Sequence, residues 1–482
     1  MNISRLDFLR GGLSAIGVGF FGGGRLFAVP AGWKHGGKPN LVFGAVSDTH
    51  IRTDWTGKKP SWRFPLKYFK AALEYFKSAN VDAVVHCGDF AHRGMMMSMQ
   101  FHADTWREVF GKRGGPVKLF VTGNHDIIGG RYGDFAAKLF KDEAERNKWT
   151  FAGDVAGNWE RIWGEPYEEV WHKEVKGYHF IGRHWDVKEM KTAEFIESKA
   201  TMFNLADGVK PFFYIQHVGS GGELNKALAK WPNAVGFFGH AHASAANWNV
   251  IRDNCGAISI QIPSCEPRGT GILSGDGYIA KAKLEGREAA GSPRQGYVVR
   301  VYDDMLVIER REFGAGGSLG PDWVMPFGNT PHPFSRGELK KVIGEPQFRE
   351  GAKLEVSLDR IGKINKIEKT ANDHPVNPVT PVQENSAPPC LRVRIPLADG
   401  NPDSRVYAYE VVVLGDEGSP KLHKAVYAAG CNMGIGHEPN GGVTTLEIPA
   451  SELPPGKTLT IVARPLSSLG TSGKAIATKF PV

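Results

Sequence analysis

The chain has 482 residues, 41% of them hydrophobic and 23% charged, and carries a formal charge of +8. That length exceeds what one compact core accommodates, so two or three domains are expected. Sixty Gly, thirty Pro and twelve Trp speak against a helical bundle and for β-rich or α/β architecture. Lys and Arg form no long run, so a nucleic-acid partner is not indicated, and the mild positive excess weakly favours small anionic substrates.

Residues 1–31 read as an export signal. Arg5, Arg10 and Arg25 against Asp7 give this segment +2, leaving +6 for the rest of the chain. GGLSAIGVGFFGGG is an apolar, Gly-rich stretch shorter than a membrane span, and AVPAG offers small residues with cleavage after Ala31. Residues 4–10 are similar to a twin-arginine signal at Phe8 and Leu9, but Leu6 stands where the second arginine belongs. The protein is expected in the periplasm or outside a bacterial cell, with no membrane span once the signal is removed.

A strand–helix rhythm comes next. LVFGAV (41–46) is a short apolar strand, and PLKYFKAALEYFKSA sets Leu66, Phe69, Leu73 and Phe76 on one helical face. AVVHC (83–87) is a second strand, a helix is predicted near 101–110, and VKLFVT is a third strand before helical DFAAKLFKDEAER. YHFIG, a helix at TAEFIESKATMFNLA, then PFFYIQ and VGFFG continue the alternation, which predicts an α/β sandwich with parallel strands. AISIQI, YVVRVY and MLVIERREF add β signals. The rhythm changes near residue 314. GNTPHPFSRGE reads as a linker, and KLEVSL, LRVRIPL, VYAYEVVVL, TTLEIP and TLTIVARPL read as strands separated by turn residues. The expected domains are 32–313, a linker at 314–339 and a β-sandwich at 340–482 similar to fibronectin type III or immunoglobulin-like domains.

In open α/β sheets ligands sit beyond the carboxyl ends of the strands. Here those ends carry Asp48 and His50 (DTH), Asp89 (GDFAHRG), Asn124, His125 and Asp126 (GNHD), His217, and His240 with His242 (GHAH). Residues two apart in an extended segment point the same way, so Asp48 and His50 are expected to face one pocket, as are His240 and His242. Glycines before Asp89, Asn124 and His240 are expected to let the backbone turn sharply there. The donors are oxygen and nitrogen with no cysteine, a set that suits Mn²⁺, Fe or Zn²⁺.

The ordered series D-x-H, GD, GNHD, H and GHxH, spread from residue 41 to about 312, resembles the calcineurin-like metallophosphoesterases. The resemblance implies a four-layer α/β sandwich core ahead of the all-β sandwich domain. It also implies two divalent metal ions, Mn, Fe or Zn. Asp48, His50 and His242 would hold the first, Asn124, His217 and His240 the second, and Asp89 would bridge them. His125 would face the scissile phosphate as a proton donor, and Asp126 would support the turn. Two such cations make water more acidic and bind phosphate oxygens, which implies hydrolysis of a small phosphodiester or phosphomonoester. His92 occupies the place of the tyrosine ligand of purple acid phosphatases, so tyrosinate ligation is not expected. Arg93 is similar to the phosphate-contacting arginine of GD-x-x-D-R-G in protein phosphatases, with His92 in place of its Asp; both are candidate substrate contacts.

The alternatives are a nuclease using the same site and a non-enzymatic surface protein whose β domain contacts glycan or protein. Cys87 is expected to be a buried free thiol. Export would permit disulfides Cys255–Cys265 and Cys390–Cys431, and sequence alone decides neither.

Overall fold

The computed structural model describes residues 27–29, 32–51, 53–56, 59–62, 66–112, 114–127, 133–185, 187–202, 210–219, 222–228, 230–231, 233–246, 251–254, 257–265, 284–285, 294–314, 316–328, 344–360, 389–399, 405–417, 419–435, 442–467 and 472–482. Two mixed sheets dominate the first two-thirds of the chain. In the first, the order is Phe27–Ala28, Trp323–Pro326, Met305–Glu312, Gln295–Val301, Leu41–Val46, Ala83–His86 and Val117–Phe120. Its last three strands are parallel. In the second, the order is Ile251–Asn254, Ala257–Gln261, Ala234–Phe238, Phe212–Gln216, Tyr178–Arg183 and Val170–Val175. Its four inner strands are parallel and both edges antiparallel.

The parallel strands are buried on both faces, which is why PFFYIQ and VGFF read as unbroken apolar runs. One core lies between the sheets. Phe43 packs there against Phe180, Phe213 and Phe237 with ring centroids 5.6, 5.2 and 5.6 Å apart, all edge-to-face. The Lys67–Ser78 helix buries Phe69, Ala72, Leu73 and Phe76 in a second core; of the expected stripe, Leu66 instead precedes the helix and is only partly buried. Gly44 is required beneath it, since a Cβ there would come 2.5 Å from the Phe76 ring. The Glu189–Met202 and Gly222–Leu228 helices contribute Ile196, Leu224 and Leu228 to a third core with Phe212 and Tyr214.

Two elements differ from expectation. DFAAKLFKDEAER forms two helices, Gly133–Leu139 and Glu143–Trp149, because Asp142 caps the second by accepting the Glu145 N–H at 2.9 Å. VWHKEV is a strand, Val170–Val175, paired with Tyr178–Arg183 through Lys176 and Gly177 at φ 50° and 74°. That is the two-residue hairpin geometry in which both central residues are left-handed.

Among the described residues, the regular elements of the C-terminal region are strands apart from one short 3₁₀ turn. Glu355–Arg360, Pro389–Ile395 and Thr444–Pro449 form a three-stranded sheet. Leu284–Glu285, Leu422–Tyr427, Val406–Leu414, Thr458–Ser467 and Ile476–Pro481 form a five-stranded one. Leu422–Tyr427 and Ile476–Pro481 had no sequence signal: the first buries only its last three residues, and the second is an edge strand of alternating partial exposure. The two parts of the chain interlock. Leu284–Glu285, from within 32–313, pairs with Leu422–Tyr427, and Trp323–Pro326, from within 314–339, pairs with Met305–Glu312.

Most of residues 1–31 lie outside the described residues. Phe27–Ala28 pairs with Trp323–Val324, and Val29 is 1% exposed, so cleavage after Ala31 would remove an edge strand. No helix among the described residues is long and apolar enough to cross a membrane. Cys87, Cys265, Cys390 and Cys431 are buried free thiols, so Cys390 and Cys431 are not bridged; Cys255 lies outside the described residues.

Candidate metal centre

The loops after Leu41–Val46, Ala83–His86, Val117–Phe120, Phe212–Gln216 and Ala234–Phe238 meet at one end of the two sheets. Parallel strands deliver their carboxyl ends to the same side. There Asp48, His50 and His242 gather. His50 Nε2 lies 2.9 Å from His242 Nε2, and Asp48 Oδ1 lies 3.2 Å from His242 Nε2 and 3.7 Å from His50 Nε2. A second group comprises Asn124, His217 and His240. Asn124 Oδ1 is 2.9 Å from His217 Nε2 and 3.2 Å from His240 Nδ1, and the two nitrogens are 3.3 Å apart. Ligands about 2.1 Å from one small cation at right angles lie about 3 Å from each other.

Asp89 stands between the groups. Its Oδ1 accepts the His125 backbone N–H at 2.8 Å. Its Oδ2 lies 3.2 Å from His217 Nε2 and 3.5 Å from His50 Nε2, is buried, and makes no hydrogen bond. A buried carboxylate oxygen without a well-formed hydrogen bond is costly unless positive charge, from a metal ion or a protonated imidazole, meets it. The donor set and this oxygen therefore fit divalent metals. Three groupings of described residues could hold an ion: Asp48, His50 and His242; Asp89, His217 and His240; and His50, His92 and His125.

Charge follows the geometry. Burial raises the Asp48 carboxyl, but His242, His50 and His217 outweigh it and hold it well below the carboxylate range. Burial likewise opposes Asp89, which His217 and His50 bring down to about 2. Burial lowers His217, yet Asp89 and Asp48 raise it to about 9. Burial leads for His50, which falls to about 4. Without metal, a proton on His217 thus stands in for positive charge between the carboxylates.

The local backbone is not what the spacing suggested. Asp48, His50, Asp89, His240 and His242 have φ of 52°, 43°, 56°, 68° and 52°. The D-x-H and H-x-H segments are therefore not extended. Alternate left-handed residues, each costing about 1–3 kcal/mol, curl these loops so that paired side chains face one point. Close neighbours maintain the strain: Asp48 and His50 N–H donate to Gly88 and Asp89 carbonyls at 3.0 and 2.9 Å, and the His240 N–H donates to Asp48 Oδ2 at 3.0 Å. The glycines also need correction. Gly88 does turn, at φ 95°, but Gly123 and Gly239 are not left-handed. A Cβ on Gly123 would strike the Asp89 carboxylate, and one on Gly239 would strike Ser47 and Asp48. They are glycine because loops approach closely.

The GNHD residues diverge. His125 Nδ1 donates to the His92 carbonyl at 2.8 Å, which leaves its Nε2 at the far edge of the ring. The His92 ring stacks on His125 at 5.1 Å, and His50 meets His125 edge-on at 4.7 Å. Asp126 points into the protein, where Oδ2 accepts from Gly123 N–H at 2.8 Å and Asp89 N–H at 3.0 Å, and Oδ1 from Ala91 N–H at 2.8 Å. Burial and the Asp89 charge raise its carboxyl to about 7. Arg93 is half-buried beside the turn, and a Cβ on its neighbour Gly94 would lie 3.0 Å from the Asp126 carbonyl oxygen. His217 Nδ1 donates to the Cys87 carbonyl at 2.7 Å, orienting Nε2 toward the site.

Three contributors lacked a sequence assignment. Thr49 Oγ1 lies 2.7 Å from His102 Nε2 and 3.3 Å from His86 Nε2. Ser264 Oγ donates to the Asp48 carbonyl at 2.9 Å. Trp185 lies just past Tyr178–Arg183, donates its backbone N–H to Thr122 Oγ1 at 3.1 Å, and sets its indole edge-on to His217 at 5.9 Å. Reading the end of YHFIG as the other strand ends were read would have found Trp185. His184 serves structure, accepting the Thr122 N–H at 3.0 Å.

Residues 41–244 match the family model described as calcineurin-like phosphoesterase, and over that span the chain carries a domain of this kind. Members of this family use divalent metals, and every residue of the two donor groups falls within the span. A search of curated proteins found no match. Among solved structures the chain is similar to a protein of Streptococcus pneumoniae TIGR4 described as a predicted phosphoesterase, at 12% identity over 59% of this chain and 97% of that one, TM-score 0.28. It is also similar to an archaeal phosphodiesterase, at 16% identity over 49% and 88% of the two chains, TM-score 0.23. A purple acid phosphatase from yellow lupin (Lupinus luteus) seeds aligns at 12% identity over 60% and 55%, TM-score 0.36.

Proposed function

We propose that this protein is an exported phosphoesterase that uses two divalent cations to hydrolyse a small phosphate ester, a diester more readily than a monoester. The observation that carries this reading is Asp89 Oδ2, buried and without a hydrogen bond between two groups of oxygen and nitrogen donors. Asp48, His50 and His242 would hold one ion, Asn124, His217 and His240 the other, and Asp89 both. When bound, the ions supply charge that acidifies water and neutralises phosphate oxygens.

The chain's own residues do the rest. His217 is fixed through Nδ1, so its Nε2 lone pair faces the second group. His125 is fixed through Nδ1 by the His92 carbonyl. Its Nε2, when the ring is charged, carries the proton that the leaving oxygen takes as the phosphorus–oxygen bond breaks. His92, whose ring stacks on His125, and its neighbour Arg93 are the proposed contacts to substrate.

The four-layer reading of 32–313 is supported by cores on both faces of each main sheet, and the sandwich reading of 340–482 by the core its two sheets share. Export is supported by the charged and apolar stretches of the first 31 residues.

A screen of aryl phosphate mono- and diesters and of DNA, using enzyme reconstituted with Mn²⁺, Fe²⁺ or Zn²⁺, tests the reading. Turnover of small diesters without DNA cleavage is expected. Cleavage of DNA alone would favour a nuclease, and no turnover with any ion would overturn the proposal.

A further inference from the structure

We propose that the C-terminal β region is a working part of the metal centre, because it clamps the histidine-bearing 240–246 loop through the buried side chain of Gln295. The inference rests on the metal reading of His240 and His242 and goes beyond it by giving the C-terminal region a task.

The polar groups of this loop find partners one after another. The His240 N–H meets the Asp48 carboxylate. The His242 and Ala243 N–H groups meet the Gln261 side-chain oxygen at 3.1 and 2.9 Å once that amide is oriented to satisfy them. Gln295 takes over from there. Its Oε1 accepts the Ala245 N–H at 2.8 Å and the Ser244 hydroxyl at 3.2 Å. The Ala245 carbonyl accepts from Arg310 Nη1 at 2.9 Å. Gln295 and Arg310 are each 0% exposed.

The other end of Gln295 leaves the catalytic part. Nε2 donates to the Asn432 carbonyl at 2.7 Å. Asn432 belongs to a turn that Arg405 grips from within the C-terminal region, Nη1 on the Met433 carbonyl at 2.5 Å and Nη2 on the Gly430 carbonyl at 2.9 Å. Nearby, the Ile435 N–H donates to the Ser318 carbonyl at 2.9 Å. Ala246, four residues past His242, is buried in the C-terminal core with Cys431. A tethered but independent module would leave the loop to the first two sheets alone. Here the loop's last residue and the amide that braces it are both shared with the second region.

The physical need is clear from the backbone. His240 and His242 are both left-handed, at φ 68° and 52°. Such a loop springs back unless its surroundings over-determine it. Gln295 and its C-terminal partner supply that constraint at the open end of the loop, where it leaves the sheet.

Full-length Gln295→Met and Arg405→Met test the clamp, with Arg392→Met as a control that breaks ion pairs in the C-terminal three-stranded sheet away from the turn. Gln295→Met touches the loop, whereas Arg405→Met touches only the C-terminal turn. Both are expected to speed hydrogen exchange of the 243–246 amides in metal-free protein and to weaken the His242-side Mn²⁺ site at least tenfold, and the control to do neither. The double variant should be no worse than the more affected single, since one clamp is broken twice. Wild-type exchange and Mn²⁺ binding in Arg405→Met would overturn the inference, as would the same losses in Arg392→Met. If wild-type protein bound no Mn²⁺, the metal reading would fail, and the exchange measurement would still decide the clamp.

Discussion

Asp126 sits directly beneath Asp89, its Oδ2 accepting the Asp89 backbone N–H at 3.0 Å while its Oδ1 takes that of Ala91 at 2.8 Å. With the Gly123 N–H also on Oδ2, one side chain accepting three backbone N–H groups ties the GD loop to the GNHD loop. Asp126→Asn replaces one oxygen by an NH₂ group that can only face another donor. A loss of about 1–3 kcal/mol is expected, with fewer ions bound per chain. Thermal unfolding and metal analysis check it, and unchanged values in both would refute the tie.

His125 is the proposed proton donor and belongs to neither of the two principal donor groups. His125→Ala should retain two ions while turnover falls about 10²–10⁴-fold, the range for a lost general acid. Leaving groups that need no proton should suffer least. A variant that turns over a poor leaving group at wild-type rate would exclude the acid role.

Thr49 anchors the strained D-x-H loop through a chain whose protons can be assigned. The Gly88 N–H donates to His86 Nδ1 at 3.2 Å, so the His86 proton is on Nε2 and faces Thr49. His102 Nδ1 donates to the Ser98 carbonyl at 2.8 Å, so its Nε2 accepts the Thr49 hydroxyl. Burial holds both rings neutral, His102 down at about 3. Thr49→Val strands a lone pair and an N–H, and should cost about 1–3 kcal/mol and lower metal affinity. Thr49→Ser should restore both, as measured by unfolding and Mn²⁺ titration.

Metal binding should release a proton from His217. Its folded pKa, raised to about 9, means that in metal-free protein the charged ring stabilises the fold fully below about pH 6.5 and loses that contribution as pH rises through about 9. A cation competes with that proton. Affinity should therefore rise roughly tenfold per pH unit between about 6.5 and 9 and then level off. The metal-induced increase in Tm should widen over the same range. Calorimetry in buffers of different ionisation enthalpy counts the proton, and a flat affinity across this window would rule the exchange out.

Much of the site was legible because its chemistry sits at strand ends, and strand ends are local features of sequence. Unbroken apolar runs such as PFFYIQ mark strands buried on both faces, and a parallel sheet delivers the residues just past those runs to one side. Trp185 escaped only because the end of YHFIG was not read in the same way.

The features that chain order could not reveal depend on contacts between distant segments. Alternating Asp48 and His50 were expected to share a face by extension, yet they do so through left-handed turns, which are maintained by Gly88 and Asp89, some forty residues on. Gly123 looks like a turn residue and is instead a point of close approach to Asp89. The inward aim of Asp126, the neutral chain through Thr49 and the brace from Gln295 to Asn432 all join groups far apart in the chain. Residue types and their local periodicity determined which chemistry this protein carries. Only the packed structure decided how strained loops are braced, because such support comes from hydrogen-bond partners that no local pattern specifies.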